Sequence, residues 1–238
     1  MSESMRTLVE VIFNISYLLV VWALVIMMVR QQARVQPDRL PLAKRVMWAF
    51  ALLALGDTGH VGFRVLAYAT GGLEANPTLV GLGALATAIT VTFFYALVLD
   101  MWRLRFQKKL DWFGYLLLAA AVIRLIMMAL PQNEWGSVVP PQPFGIYRNI
   151  PLMVQGLGVM ALILRDALAA KDRAFTWIGA MIFVSYAFYT PVILWVQQTP
   201  ILGMLMIPKT LAYVAIAVIA YRDLYGKQSA TKLKAANV

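Results

Sequence analysis

The 238-residue sequence contains no cysteine and a single histidine, His60. The absence of cysteine excludes disulfide bonds, thiol catalysis and thiolate metal sites. One histidine is too few for the ligand set of a zinc hydrolase. The chain also lacks a glycine-rich phosphate loop and a GxSxG nucleophile motif, so no motif of a soluble enzyme is present. We therefore predict neither a metal nor a cofactor.

Charged residues are scarce as well: they make up 13% of the chain, against 61% hydrophobic residues and a mean hydropathy of +0.73. Such a composition is typical of membrane proteins. Seven apolar runs are long enough to cross a hydrocarbon core of ~30 Å as helices, and too continuous for barrel strands. The runs are 8–29, 46–69, 77–101, 112–131, 147–167, 174–197 and 200–222. We predict an all-α polytopic membrane protein, with a seven-helix domain at 1–225 and a polar tail at 226–238.

Acidic residues are few, and the 21 Lys and Arg outnumber them to give a net charge of +10. Sixteen of these 21 lie at the ends of the first, third, fifth and seventh spans or in the segments that follow them, in 30–45, 103–109, 165–173 and 222–234. By the positive-inside rule the N-terminus is predicted outside and the C-terminus and its tail in the cytoplasm. The basic character then reflects topology and affinity for anionic membrane lipids, and we predict no nucleic-acid partner.

A weak internal similarity relates spans one to three to spans five to seven. Trp48 precedes Asp57 by nine residues, Trp177 precedes Tyr186 by nine, and the third and seventh spans end in "YALVLDMWR" and "YVAIAVIAYR". This pattern suggests a 3+1+3 pseudo-repeat, as in some transporters, with chance similarity as the alternative. The long connection at 131–147 is either a structured cap or lid over the outer face, or a simple long loop.

The stretch "LGDTGHVGFR" places ionisable groups inside the second apolar run. Asp57, His60 and Arg64 are spaced i, i+3 and i+7, so they share one helix face. Each costs free energy within a membrane, which makes such residues functional candidates by default. Other polar residues interrupt the spans at comparable depth, between the midplane and the outer surface: Glu10, Asn14, Arg124, Arg148, Gln155, Tyr186, Tyr189 and Lys209. We predict that these eleven residues line one outward-facing ligand site.

Alternatives remain for individual residues. Arg64 and Arg148 lie near enough to the surface to extend their charges into it, and Glu10 is also compatible with an interfacial position. The tyrosines Tyr186 and Tyr189 are compatible with packing alone.

For the deeper groups the alternative is structural. Arg124 and Lys209 could form ion pairs with Asp57 or Glu10, and His60 could be a neutral hydrogen-bonding residue.

The predicted site carries four cationic side chains and two carboxylates, an excess of two positive charges. Because arginine does not lose its proton, either Lys209 is uncharged or an anion occupies the site. We expect a small anionic or amphiphilic ligand with a carboxylate or phosphate group. A transporter is the preferred interpretation. A receptor or a metal-independent intramembrane enzyme acting on a lipid, with Asp57 orienting His60, remains an alternative. The oligomeric state is not predicted.

The segments "GDTGHVGFR" and "IPKTLAY" together resemble a family of uncharacterised bacterial seven-helix membrane proteins with a GD-x2-H-x3-R motif in the second span. The resemblance implies that Asp57, His60, Arg64 and Lys209 belong together, and it implies the bacterial cytoplasmic (inner) membrane as the location. Lys209 after "SYAFYTPVILW" also resembles the retinal-binding lysine of microbial rhodopsins. Leu205 stands where those proteins usually carry an acid, and Asp100 lies at the wrong end of its span to be a counter-ion.

Overall fold

The computed structural model describes residues 3–137, 139 and 141–226, with side chains described from residue 9 onward. The described residues form helices and no strand. The long helices are α1 (Glu3–Gln31), α2 (Leu40–Ala69), α3 (Pro77–Arg105), α4 (Trp112–Ala129), α6 (Ile150–Ala169), α7 (Arg173–Trp195) and α8 (Met206–Tyr225), and α5 is the single turn Phe144–Tyr147. Among the described residues, seven segments are long and apolar enough to cross a membrane, which confirms the predicted number of helices of this length and composition. The predicted tail, beyond Gly226, lies outside the described residues.

Helix starts follow local sequence signals. Pro41, Pro77 and Pro151 lie in the first turns of α2, α3 and α6, where a missing backbone N–H costs nothing. The carboxylates of Asp111 and Asp172 cap α4 and α7, each accepting a backbone N–H of the first turn. The seventh span differs from its prediction because a 3-10 segment, Pro200–Leu205, precedes the α-helical part.

Helix α3 lies at the centre of the bundle. It packs against α2, α4 and α6, and its Tyr95 contacts Tyr186 of α7 and Tyr213 of α8. Phe94 and Trp102, also on α3, are fully buried and join the main hydrophobic core. The core therefore connects most of the spans through a single helix.

Among the described residues, α2 and α3 form the most extensive contact between two helices. A side chain at Gly56 would overlap the hydroxyl group of Thr90, so glycine is required for the two backbones to approach. Thr87 donates a hydrogen bond to the carbonyl of Gly56 across the same interface, at 3.1 Å. This contact fixes the second span, with its polar stripe, against the centre of the bundle.

The connection between α4 and α6 is a structured cap in its described part. Asn133 is 1% exposed and donates to the carbonyls of Met127 and Leu130, at 2.6 and 2.8 Å. The indole of Trp135 donates to the carbonyl of Met128 at 3.0 Å. The first half of this connection is thus tied to the end of α4.

Candidate functional site

A cavity of about 380 Å³ opens between the spans at the end of the bundle where α4 ends and α6 begins. All seven long helices and the cap contribute to its walls. Ten of the eleven residues predicted from the sequence line it: Glu10, Asn14, Asp57, His60, Arg64, Arg124, Arg148, Tyr186, Tyr189 and Lys209. The fold therefore brings together polar side chains from six different spans.

Gln155 is the predicted residue that does not line the cavity. It is 1% exposed, and its amide donates to the carbonyl of Thr92 at 3.3 Å, between α6 and α3. Its side chain lies in the interface between α6 and α3 instead. Depth along the span therefore does not by itself identify a lining residue, because the helix face decides what the side chain meets.

Arg124 of α4 is the most deeply enclosed cation in the cavity. Its side chain is 2% exposed, and neither Nε nor Nη1 has a hydrogen-bond partner among the described residues. A buried guanidinium normally has most of its five donors satisfied, because each unpaired donor costs about 1–3 kcal/mol. Arg124 thus presents a permanent positive charge without a partner from the described part of the chain.

Arg148, just before α6, is positioned by the cap. Its Nη1 donates to the side-chain oxygen of Asn133 at 3.2 Å. The guanidinium also stacks over the ring of Trp135, 4.3 Å from the ring centre. These two contacts hold the charge at the cavity and leave donors unused.

Lys209 lies four residues into α8, among aromatic rings. Its Nζ is 4.7 Å from the ring centre of Tyr189 and 5.4 Å from that of Tyr213. Such contacts stabilise an ammonium group, although less than a carboxylate would. The alternative of an ion pair with Asp57 or Glu10 is not seen at 4.0 Å or less in the described part of the chain.

Asp57 accepts its hydrogen bonds from neutral groups. The hydroxyl of Tyr17 on α1 donates to one carboxylate oxygen at 2.7 Å, and Thr87 on α3 approaches the other at 3.5 Å. His60 is not among its partners in the described residues, so the arrangement in which Asp57 orients His60 is not formed. The Nδ1 of His60 is buried and has no partner among the described residues.

The tyrosines form the floor of the cavity. Tyr186 donates to the carbonyl of Leu152 at 2.9 Å and passes over Gly156, where a side chain would overlap its hydroxyl. Tyr189 donates to Asn149 at 3.2 Å. Both rings are thus fixed by hydrogen bonds and also face the cavity, so packing and lining are not exclusive.

The predicted set of eleven leaves out several residues that line the cavity: Tyr17, Thr87, Trp135, Asn149, Ser185, Thr210 and Tyr213. Helical spacing in the sequence already places Tyr17 on the i, i+4, i+7 stripe of Glu10 and Asn14, and the same spacing relates Tyr213 to Lys209, four residues before it. Trp135 lies in a loop, and no periodic signal places it.

The ion pairs of the described residues lie at the opposite end of the bundle. Arg45 and Arg103 hold Asp100, and Arg105 contacts Asp172 and Asp223 at 2.7 and 3.0 Å. None of the four cavity cations takes part in an ion pair of 4.0 Å or less within the described part of the chain. Nor do the described residues contain a group of three or more His, Asp or Glu side chains able to hold a metal ion.

Comparison of the chain with protein-family models, with curated proteins and with solved structures finds no match.

Proposed function

We propose that this chain is a multi-pass membrane protein that binds a small anionic or amphiphilic ligand in the cavity of Arg124 and carries it across the membrane. The observation that carries the proposal is the unpartnered guanidinium of Arg124, only 2% exposed, in a cavity shared with Arg148 and Lys209. An arginine at this depth cannot lower its cost by losing its proton. A bound oxyanion satisfies its donors and offsets the charge excess.

Transport is the form of this function that the architecture favours. The cavity opens toward one end of the bundle, while ion pairs join α2, α3, α8 and the start of α7 at the other. A site accessible from one side and closed on the other is one state of an alternating-access cycle. The 3+1+3 pseudo-repeat proposed from the sequence is compatible with this mechanism.

The orientation that we propose places the open end outside and the ion-paired, lysine- and arginine-rich end in the cytoplasm, following the positive-inside rule. The proposed location is the bacterial cytoplasmic membrane. The alternatives of an intramembrane enzyme and a receptor have less support. The enzyme hypothesis relied on Asp57 as the partner of His60, and Asp57 instead accepts from Tyr17.

Binding can be tested with benzenesulfonate, an organic anion that keeps its charge at all accessible pH values. Isothermal titration of the protein in lipid nanodiscs should detect binding to the wild type and at least a tenfold loss in Arg124→Gln. The matched control is Arg103→Gln, which removes an arginine from the ion-paired end and should leave the affinity unchanged. Equal affinities in all three proteins would refute Arg124 as the anion-binding residue.

Transport is tested separately by counterflow of labelled benzenesulfonate in proteoliposomes. We expect accumulation with the wild type and with Arg103→Gln, and none with Arg124→Gln. Binding without counterflow would leave the site in place and exclude the carrier, in favour of a receptor.

A further inference from the structure

One wall of the cavity is apolar. Ala84, Ala88 and Val91 line it from one face of α3, at i, i+4 and i+7. Leu53 and Val61 of α2 line it beside them. This wall lies in the same enclosure as Arg124 but offers a ligand no charged group.

The one hydroxyl that lines the cavity from α3 is already engaged. Thr87 lies between Ala84 and Ala88 and donates to the carbonyl of Gly56, at 3.1 Å. Its other neighbour is the carboxylate of Asp57. The α3 face is therefore a poor surface for water or for a fully polar solute.

The size of the cavity also favours a ligand with an apolar part. Its volume of about 380 Å³ is roughly that of a dozen waters at about 30 Å³ each. It also falls in the range of about 300–1,000 Å³ typical of sites for organic ligands, which are mostly apolar with a few placed polar groups. An inorganic oxyanion at Arg124 would leave most of the space, including the α3 wall, to water that finds few partners.

We infer that the ligand is an amphiphilic organic anion, whose charged group binds Arg124 and whose hydrocarbon part packs along the α3 wall, with Ala84 and Ala88 setting the length of hydrocarbon accepted. This inference rests on the proposed function and narrows it to one class of ligand. Ala84 and Ala88 act as specificity-determining residues because their small side chains leave the space that the hydrocarbon fills.

The test uses a series of straight-chain alkanesulfonates, from methanesulfonate to hexanesulfonate, titrated into the protein in nanodiscs. The charge is constant, so only the apolar part varies. Burying each added methylene should raise the affinity about fourfold, which corresponds to ~0.8 kcal/mol. A flat series, in which methanesulfonate binds as tightly as hexanesulfonate, would overturn the inference and leave anion binding intact. If no sulfonate binds, the proposed function fails together with it.

The matched pair of variants is Ala88→Leu and Ala96→Leu. Leucine at position 88 fills part of the cavity, so the affinity for hexanesulfonate should fall at least tenfold while that for methanesulfonate is kept. Ala96 lies on the same helix but shares a face with the exposed Ile89 and Phe93, seven and three residues before it, and it does not line the cavity. Its substitution should change neither affinity, which also controls for partition of the longer sulfonates into lipid.

Retained binding of methanesulfonate serves as the check that Ala88→Leu is folded. If that variant binds neither sulfonate, Ala84→Leu provides a second way to narrow the wall, and it must reduce the preference for long chains. Unchanged hexanesulfonate affinity in either folded variant would show that the α3 wall does not contact the ligand.

Discussion

The two ends of the bundle differ in whether their arginines are paired with carboxylates. At one end each of the carboxylates Asp100, Asp166, Asp172 and Asp223 lies within 3.0 Å of an arginine nitrogen. In the cavity at the other end, Arg124 has no such partner in the described part of the chain. The same sequence can therefore satisfy arginine where the arginine is structural. This difference in pairing is the basis of the proposal that an anionic ligand binds Arg124.

The carboxylate of Asp57 lies in the same cavity and does not pair with its cations. Asp57 lines the cavity with Arg124 and Lys209, yet its hydrogen bonds come from Tyr17 and Thr87. Neutral donors hold a carboxylate in place without neutralising a neighbouring cation. The cavity cations thus have no carboxylate within 4.0 Å among the described residues, whereas Arg45, Arg103, Arg105 and Arg165 at the other end each have one.

Removing an arginine from the paired end should cost the most stability. Arg105 contacts Asp172 and Asp223 with a side chain that is 18% exposed. In Arg105→Met both carboxylates lose this partner, and breaking a largely buried ion pair costs about 3 kcal/mol. Unfolding by SDS in mixed micelles, followed by tryptophan fluorescence, measures the loss of unfolding free energy. A change below about 1 kcal/mol would mean that this end is solvated like an ordinary surface.

Replacing arginine by methionine in the cavity should have the opposite effect on stability. Arg124→Met removes a buried charge with unpartnered donors and substitutes an apolar side chain of similar length. Without ligand, in low salt, we expect the variant to be about 1–3 kcal/mol more stable than the wild type. Measurement by the same unfolding assay gives a direct comparison with Arg105→Met. Destabilisation by Arg124→Met would show that the guanidinium has a structural partner, and the contrast between the two ends would fail.

The seven spans and most of the candidate site could be predicted from the sequence. The seven spans follow from long apolar runs, and the site follows from the cost of placing Asp57, His60 and Arg124 inside them. Helical spacing predicts the face shared by Asp57, His60 and Arg64 because it depends on local geometry alone.

The rest depends on contacts between distant segments. No local pattern indicates that Tyr17 and not His60 bonds to Asp57, since α1 and α2 must first pack together. Depth alone assigns Gln155 to the site, but its rotation about the helix axis is set by packing of α6 against α3. The hydrogen bond from Arg148 to Asn133 likewise depends on how the loop that contains Asn133 packs against the start of α6.

The hydrogen bond from Tyr17 to Asp57 should have an intermediate effect on stability. Tyr17→Phe removes the 2.7 Å hydrogen bond while preserving the ring. Loss of a hydrogen bond to a charged group costs about 1.5–3 kcal/mol, and the freed carboxylate should also weaken benzenesulfonate binding by competing for the cavity cations. The control is Tyr115→Phe, whose ring is 62% exposed on α4. Unchanged stability and affinity in Tyr17→Phe would show that this bond does not govern Asp57.

The smallest effect is expected where an ion pair faces the surroundings. Arg165 contacts its neighbour Asp166 at 2.9 Å, but its side chain is 59% exposed, and Asp166 keeps a hydrogen bond from the indole of Trp102. Exposed pairs contribute little because they are screened and cost side-chain entropy, so Arg165→Ala should lower stability by less than about 0.5 kcal/mol. A loss approaching that of Arg105→Met would mean that pairing at this end acts as one cooperative network. In that case the difference between the two ends would reside in the whole layer of charges, and single buried pairs such as that of Arg105 would not account for it.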